Sequence, residues 1–186
     1  MTNIRTSKVA ILSTNGFEQS ELFQPKEALE AAGATVHVVS PEAGSIKGWK
    51  DGDWGDSVKV DVLLKDARPE DYDALVLPGG QMNPDLLRTI PDAVTFVKSF
   101  FDAGKPLAAI CHAPWLLVEA GIVSGLSLTS YKSIKTDIVN AGGKWTDKAV
   151  VADKGVVTSR DPGDLEAFSN KIIEQISKSR GVHSAA

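Results

Sequence analysis

The chain has 186 residues, 42% hydrophobic and 24% charged, the balance of one globular domain with a sizeable core. Lys and Arg number 20 against 24 Asp and Glu, with no basic block, which excludes the electrostatic footprint of a nucleic-acid binder. A single cysteine excludes an internal disulfide and points to a reducing cytoplasm, and no apolar stretch is long enough to cross a bilayer.

The polar segment Met1 to Ser7 is expected to carry no signal peptide. Lys8 to Leu12 (KVAIL) reads as the first strand. A helical pattern follows Gly16, from about Glu18 to Ala32, with Leu22, Phe23, Ala28, Leu29 and Ala32 at helical spacing and Gly33 as its stop. Thr35 to Val39 is the second strand. Residues 42–68 mix glycines and aspartates with short β-like pieces, predicting a small antiparallel insertion. Trp49 and Trp54 within it are expected to cap the sheet edge.

Ala74 to Leu77 is a third strand, ending in Pro78-Gly79-Gly80. A short helix near Pro84 to Arg88 precedes a longer one that begins with Pro91 and runs to about Ala103. Leu107 to Ile110 is the fourth strand, followed by Cys111 and an apolar helix from about Pro114 to Ala120. A strand near Leu126 to Thr129, a helix from about Ser133 to Ala141, and β pieces at Ala149 to Ala152 and Val156 to Thr158 come next. A final helix spans about Pro162 to Ser177, with Leu165, Phe168, Ile172, Ile173 and Ile176 as its buried stripe. Ser179 to Ala186 reads as a tail. The order predicts a single-domain, three-layer α/β sandwich with a mostly parallel sheet. Sites in such sheets form at the carboxyl ends of strands. Glu18, Gly79-Gly80 and Cys111 all fall there.

The chemistry centres on Cys111. A strand turning directly into a helix makes a sharp elbow, and the small Ala109 and Ala113 flank Cys111 two residues away on either side. Position at a helix N-terminus is expected to lower the thiol pKa. The alternative is a buried cysteine acting as a small hydrophobe. His112 is the one imidazole placed to act as base, since His37 sits mid-strand and His183 in the tail. Such a base needs an orienting acid on its other nitrogen. Glu18 is either a helix-start carboxylate or a protonated acid sharing its proton with the sulfur. The N–H groups of Gly80 and His112 are candidates for an oxyanion hole, against a plain turn. Three scattered histidines and one cysteine do not make metal-ligand spacing, and no cofactor fingerprint is present.

These residues resemble the ThiJ/PfpI superfamily, and within it the PfpI-type intracellular proteases and general stress proteins. The marks are AILSTNGFEQSEL, DALVLPGG, AAICHAPWLL, LTSYKSIKTDIVNAGG and TSRDPGDLEAF, in that order. The resemblance implies a flavodoxin-like fold, Cys111 as nucleophile, His112 as its neighbour and Glu18 as the glutamate at the sulfur. It also implies a homo-oligomer, dimer or hexamer, in which an acid of a second subunit meets the histidine. That acid follows a proline after the double glycine, which makes Asp85 in Pro84-Asp85 the candidate. Tyr131, Arg160 and Asp161 fall at pocket positions of the pattern, with loop packing and capping as the alternative. The implied chemistry is thiol attack on carbonyl or acyl carbon of a small-molecule or peptide substrate. It covers peptide or amide hydrolysis, or deglycase- or glyoxalase-type removal of aldehyde adducts. A redox-responsive or chaperone-like stress protein using oxidation of Cys111 is the non-enzymatic alternative.

Overall fold

A computed structural model describes residues 4–183. In chain order the elements are β1 (Lys8–Leu12), β2 (Phe17–Glu18), α1 (Gln19–Ala31), β3 (Thr35–Ser40), β4 (Ser45–Lys50), β5 (Asp53–Lys59) and β6 (Val62–Leu63). Then come β7 (Ala74–Leu77), α2 (Met82–Leu87), α3 (Pro91–Asp102), β8 (Leu107–Ile110), α4 (Pro114–Glu119) and β9 (Ser127–Leu128). Last are α5 (Lys135–Asn140), β10 (Lys144–Trp145), β11 (Val150–Asp153), β12 (Val156–Ser159) and α6 (Leu165–His183).

Seven strands form the main sheet in the order β11-β12-β8-β7-β1-β3-β6, all neighbours parallel except β11 with β12. Helices cover both faces, so β7 and β8 are buried along their whole length and read as unbroken apolar runs. Side chains alternate between two cores. Ala10, Leu12, Leu75, Leu77, Leu107 and Ala109 join Phe96 and Phe100 of α3 and Leu116 and Leu117 of α4. Val9, Ile11, Ala74, Val76, Ala108 and Ile110 join Leu22 and Leu29 of α1 and Phe168 and Ile172 of α6.

The expected three-layer sandwich is the observed one. The irregular stretch 42–68 does more than expected. β4 and β5 form the antiparallel hairpin, β2 joins β4 in a three-stranded sheet, and β6 returns to the main sheet as its edge strand. Trp49 and Trp54 stack edge to face at 5.4 Å across that hairpin. They pack on each other, and Trp54 stays 47% exposed, so they do not cap the main sheet. The expected strand near 126–129 pairs with β10 in a separate two-stranded sheet. α6 continues to His183, past the expected end near Ser177; the rest of the expected tail, residues 184–186, lies outside the described residues. Among the described residues no helix is long and apolar enough to cross a membrane.

From β1 the chain moves outward to β3 and β6, then returns to β7 on the other side of β1. The crevice beyond β1 and β7 is therefore a topological switch point, where open α/β sheets bind ligands. The β1–α1 loop, the β7–α2 loop and the β8–α4 elbow converge beside it.

Candidate active site

Cys111 follows β8 directly and has φ 63°. A non-glycine residue in the left-handed region costs on the order of 1 kcal/mol, so neighbouring contacts must hold it. Its N–H donates to Ser159 O at 3.0 Å, and its carbonyl accepts from Tyr131 N at 2.8 Å. Ala109 and Ala113 are fully buried on either side, which is why both flanks must be small. The elbow read from AAICHAP is present.

The carboxyl at the sulfur belongs to Glu21, where Glu18 was expected. Glu18 stands just before α1, in β2; its Oε1 accepts from Ser20 Oγ at 3.2 Å. It lines a cavity of about 680 Å³ with Glu27, Lys50 and Asp56. Three residues on, in the first turn of α1, Glu21 is fully buried and interacts with the Cys111 thiol. Its Oε2 accepts from Gly79 N at 2.9 Å, and its Oε1 has no partner of hydrogen-bonding geometry. Helix phase is the physical reason: Glu21 shares the inner face with Pro25 and Leu29 at spacings of four. A lone acid on a buried stripe was the available signal.

Burial raises the Glu21 pKa to about 8, and the nearby charge of Glu18 adds to the rise. Glu21 is therefore predominantly protonated at neutral pH and can donate a hydrogen bond. Burial also pushes the Cys111 thiol up, with a charged Glu21 adding to the effect, while the backbone N–H groups of Gly80 and His112 act the other way. The expected lowering by a helix N-terminus is thus outweighed; α4 is only six residues long, and Cys111 is 7% exposed. Burial lowers the His112 pKa. Neutral thiol and neutral imidazole are the resting pair these directions favour.

His112 Nδ1 lies 3.2 Å from Cys111 Sγ, and Nε2 lies 3.1 Å from Ser133 Oγ. The ring stacks on Tyr131 at 4.7 Å and meets the edge of Trp115 at 5.2 Å. A turn at the Cys111 backbone makes the contact between adjacent residues possible, as a continuous strand would not. Asp85 is exposed on α2, and among the described residues the His112 ring nitrogens face Cys111 and Ser133.

Both glycines after β7 are needed for space. A Cβ on Gly79 would lie 2.5 Å from Glu21 Oε2, 2.6 Å from Cys111 Cβ and 2.6 Å from Ile110 O. Gly80 has φ 78°, and a Cβ there would lie 2.6 Å from Glu18 N. This loop is pinned by Asn83, a residue sequence reasoning passed over. Its Nδ2 donates to Pro78 O at 2.8 Å and Gly79 O at 3.2 Å, and its Oδ1 accepts from Thr14 N at 2.7 Å. Asn83 is fully buried, and nothing in its sequence setting separates it from a loop residue.

Tyr131, Arg160 and Asp161 line one cavity of about 240 Å³ with Trp145 and Asp147. Packing and capping are also present. Arg160 binds Asp164 and Asp147, and the Asp161 carboxylate accepts from Gly163 N at 2.9 Å. Among the described residues no three His, Cys, Asp or Glu side chains are grouped to hold a metal ion.

Known proteins share this arrangement of chain. Deglycase PfpI of Pyrococcus furiosus is 42% identical over 167 residues, 90% of this chain and 98% of its own. A two-domain protein from Anabaena variabilis with DJ-1/ThiJ/PfpI-like and ferritin-like domains superposes with TM-score 0.87 at 37% identity, over 92% of this chain and 48% of that one. DJ-1beta of Drosophila melanogaster superposes with TM-score 0.82 at 30% identity, over 95% of this chain and 97% of its own. The DJ-1/PfpI family description matches residues 7–175, and with this coverage the chain belongs to the DJ-1/PfpI family.

Proposed function

We propose that the protein is a cysteine-dependent enzyme that attacks carbonyl carbon and removes aldehyde adducts, a deglycase-type activity. The observation that carries the reading is the Cys111 sulfur held at a strained elbow, with His112 Nδ1 at 3.2 Å and the buried carboxyl of Glu21 beside it. As sulfur bonds to the electrophilic carbon, the thiol proton passes to His112 Nδ1 and the carbonyl electron pair moves onto oxygen. The N–H groups of Gly80 and His112, already directed at the sulfur, stabilise charge that develops there. Glu21, protonated by virtue of its burial, serves as hydrogen-bond donor and proton source. A relative named deglycase supports the aldehyde-adduct reading, while a relative of 40% identity from Bacillus subtilis named a putative cysteine protease keeps amide hydrolysis as the second reading.

The test compares the protein with Cys111→Ser on methylglyoxal adducts of N-acetylarginine and on a fluorogenic peptide amide. Loss of adduct removal by about 10³-fold or more in the variant is expected. Equal rates would sink the reading, and peptide turnover with inert adducts would convert it to a protease.

A further inference from the structure

The two peptide groups that follow β7, Pro78–Gly79 and Gly79–Gly80, each aim an N–H at the site. Gly79 N donates to Glu21 Oε2 at 2.9 Å, and Gly80 N–H is directed at the Cys111 sulfur. In a trans peptide the carbonyl points away from the N–H of the same plane. Pro78 O and Gly79 O therefore point away from the site, and both end on one side chain. Asn83 Nδ2 donates to Pro78 O at 2.8 Å and to Gly79 O at 3.2 Å.

The rest of the Asn83 amide is also committed. Oδ1 accepts from Thr14 N at 2.7 Å and from Ser13 Oγ at 3.3 Å, so its donors and acceptors are all in use. Turned over, the amide would set its oxygen against two carbonyls and its nitrogen against the Thr14 N–H, which fixes the assignment. Ser13 and Thr14 follow β1. The same side chain therefore ties the β1–α1 loop, which leads to Glu18 and Glu21, to the β7–α2 loop.

We infer that Asn83 is the positioning residue of the oxyanion donor, holding both carbonyls so that Gly80 N–H stays on the sulfur and on the oxygen that becomes charged beside it. The inference rests on the proposed attack of Cys111 on carbonyl carbon. The need for it arises from the glycines. Gly79 has no room for a Cβ beside Cys111, and Gly80 none beside Glu18 N, yet a peptide between two glycines turns over at little steric cost. Turned over, the Gly79–Gly80 group would present its carbonyl oxygen to the sulfur and repel both thiolate and oxyanion. Glu18 N also donates to Gly79 O, at 3.3 Å, so the restraint has a backbone half and a side-chain half. A donor fixed before charge develops needs no reorganisation during the reaction. Asn is the residue type this demands. Asp brings at most one proton to two carbonyls, Leu brings none, and Gln is a methylene too long for a fully buried position.

The test uses Asn83→Ala and Asn83→Asp. Residual dipolar couplings of ¹⁵N-labelled protein report the Gly80 N–H direction against the rest of the backbone, without any substrate. In Asn83→Ala the Gly80 coupling is expected to leave the parent's alignment while those of the main sheet stay on it. Iodoacetamide alkylation of Cys111 at fixed pH should slow about tenfold, since the thiolate loses a donor; a merely loosened site would alkylate faster. On the adduct substrate kcat should fall about 10²-fold with KM within twofold. Asn83→Asp should fall between the parent and Asn83→Ala in all three readouts. A parental Gly80 coupling, alkylation as fast as the parent's or faster, or a parental kcat in Asn83→Ala overturns the inference. If the adducts prove inert, the proposed activity fails while coupling and alkylation still decide the role of Asn83. If Asn83→Ala loses its fold by circular dichroism, Asn83→Asp decides: a parental Gly80 coupling there overturns the inference.

Discussion

Two neighbouring strand ends make opposite electrostatic choices. At the end of β8, Cys111 takes a left-handed backbone, Glu21 is buried with an unpartnered Oε1, and burial drives both titrating groups toward their neutral forms. At the end of β12, one strand away, Arg160 donates to Asp164 Oδ2 at 2.8 Å, to Asp164 Oδ1 at 2.9 Å and to Asp147 at 2.8 Å. The Arg160 guanidinium holds the Asp164 carboxyl below its usual range. The first corner leaves a buried carboxyl oxygen without a partner; the second pairs its charged groups, although Ser159 Oγ at the end of β12 is also buried without a partner. At the first corner the left-handed backbone of Cys111 and the unpartnered Glu21 Oε1 meet at one thiol, and the ion-paired corner anchors the loop that carries the adjoining cavity.

The contrast can be broken at several points. The largest effect is expected from Gly79→Ala. Its new Cβ would meet the Ile110 backbone as well as Cys111 and Glu21, so one of the three must move. Activity should vanish, with a stability loss of about 3 kcal/mol by urea denaturation; wild-type activity would refute the packing argument.

Next comes Arg160→Met, which leaves Asp164 with the residue-160 backbone N–H as its remaining donor. A loss of stability in urea denaturation is expected, smaller than for a fully buried pair because the guanidinium is partly solvent-exposed. The sign with pH follows from the lowered pKa: this pair stabilises above the ordinary value of 3.8, and its contribution is lost as pH falls through the folded value. A variant as stable as the parent at pH 7 would show that the pair contributes nothing.

Glu21 gives the opposite sign. Its folded pKa of about 8 exceeds 4.5, so its neutral form favours folding at low pH and the contribution is lost as pH rises toward 8. Lowered His112 opposes this below its ordinary 6.5. The clean window is therefore pH 6.5 to 8, where stability should fall by about 2 kcal/mol. Glu21→Gln should flatten that slope. A slope retained in the variant would assign it elsewhere. The smallest effect is expected from Trp54→Ala on the half-exposed hairpin, about 1 kcal/mol or less from the Trp49 contact, with activity unchanged; a large loss of activity would join the hairpin to the site.

Local pattern made most of the fold legible. Short apolar runs alternating with amphipathic stretches require a sheet with helices on both faces, because each element must bury its apolar side. The elbow was legible for a similar reason: a cysteine after a buried strand, flanked by Ala109 and Ala113 and followed by Pro114, has few other conformations open to it. The boundary of α1 was less so. Glu18 and Glu21 are both acids at a helix start, and choosing between them needs the rotation of the helix to within less than a turn. That rotation is set by Leu22, Pro25 and Leu29 meeting the sheet.

Composition and periodicity by themselves determined the layered α/β architecture, the edge of the sheet where the loops converge, and Cys111 with His112 as neighbours at a turn. Those features depend on residues close in sequence, whose energetics are local. Only the tertiary structure decided that Glu21 faces the sulfur, that Ser133 faces the far nitrogen of His112, that Asn83 pins the glycine loop, and that burial raises the thiol pKa instead of lowering it. Each of these depends on groups brought together from separate elements, and on how much water their packing removes.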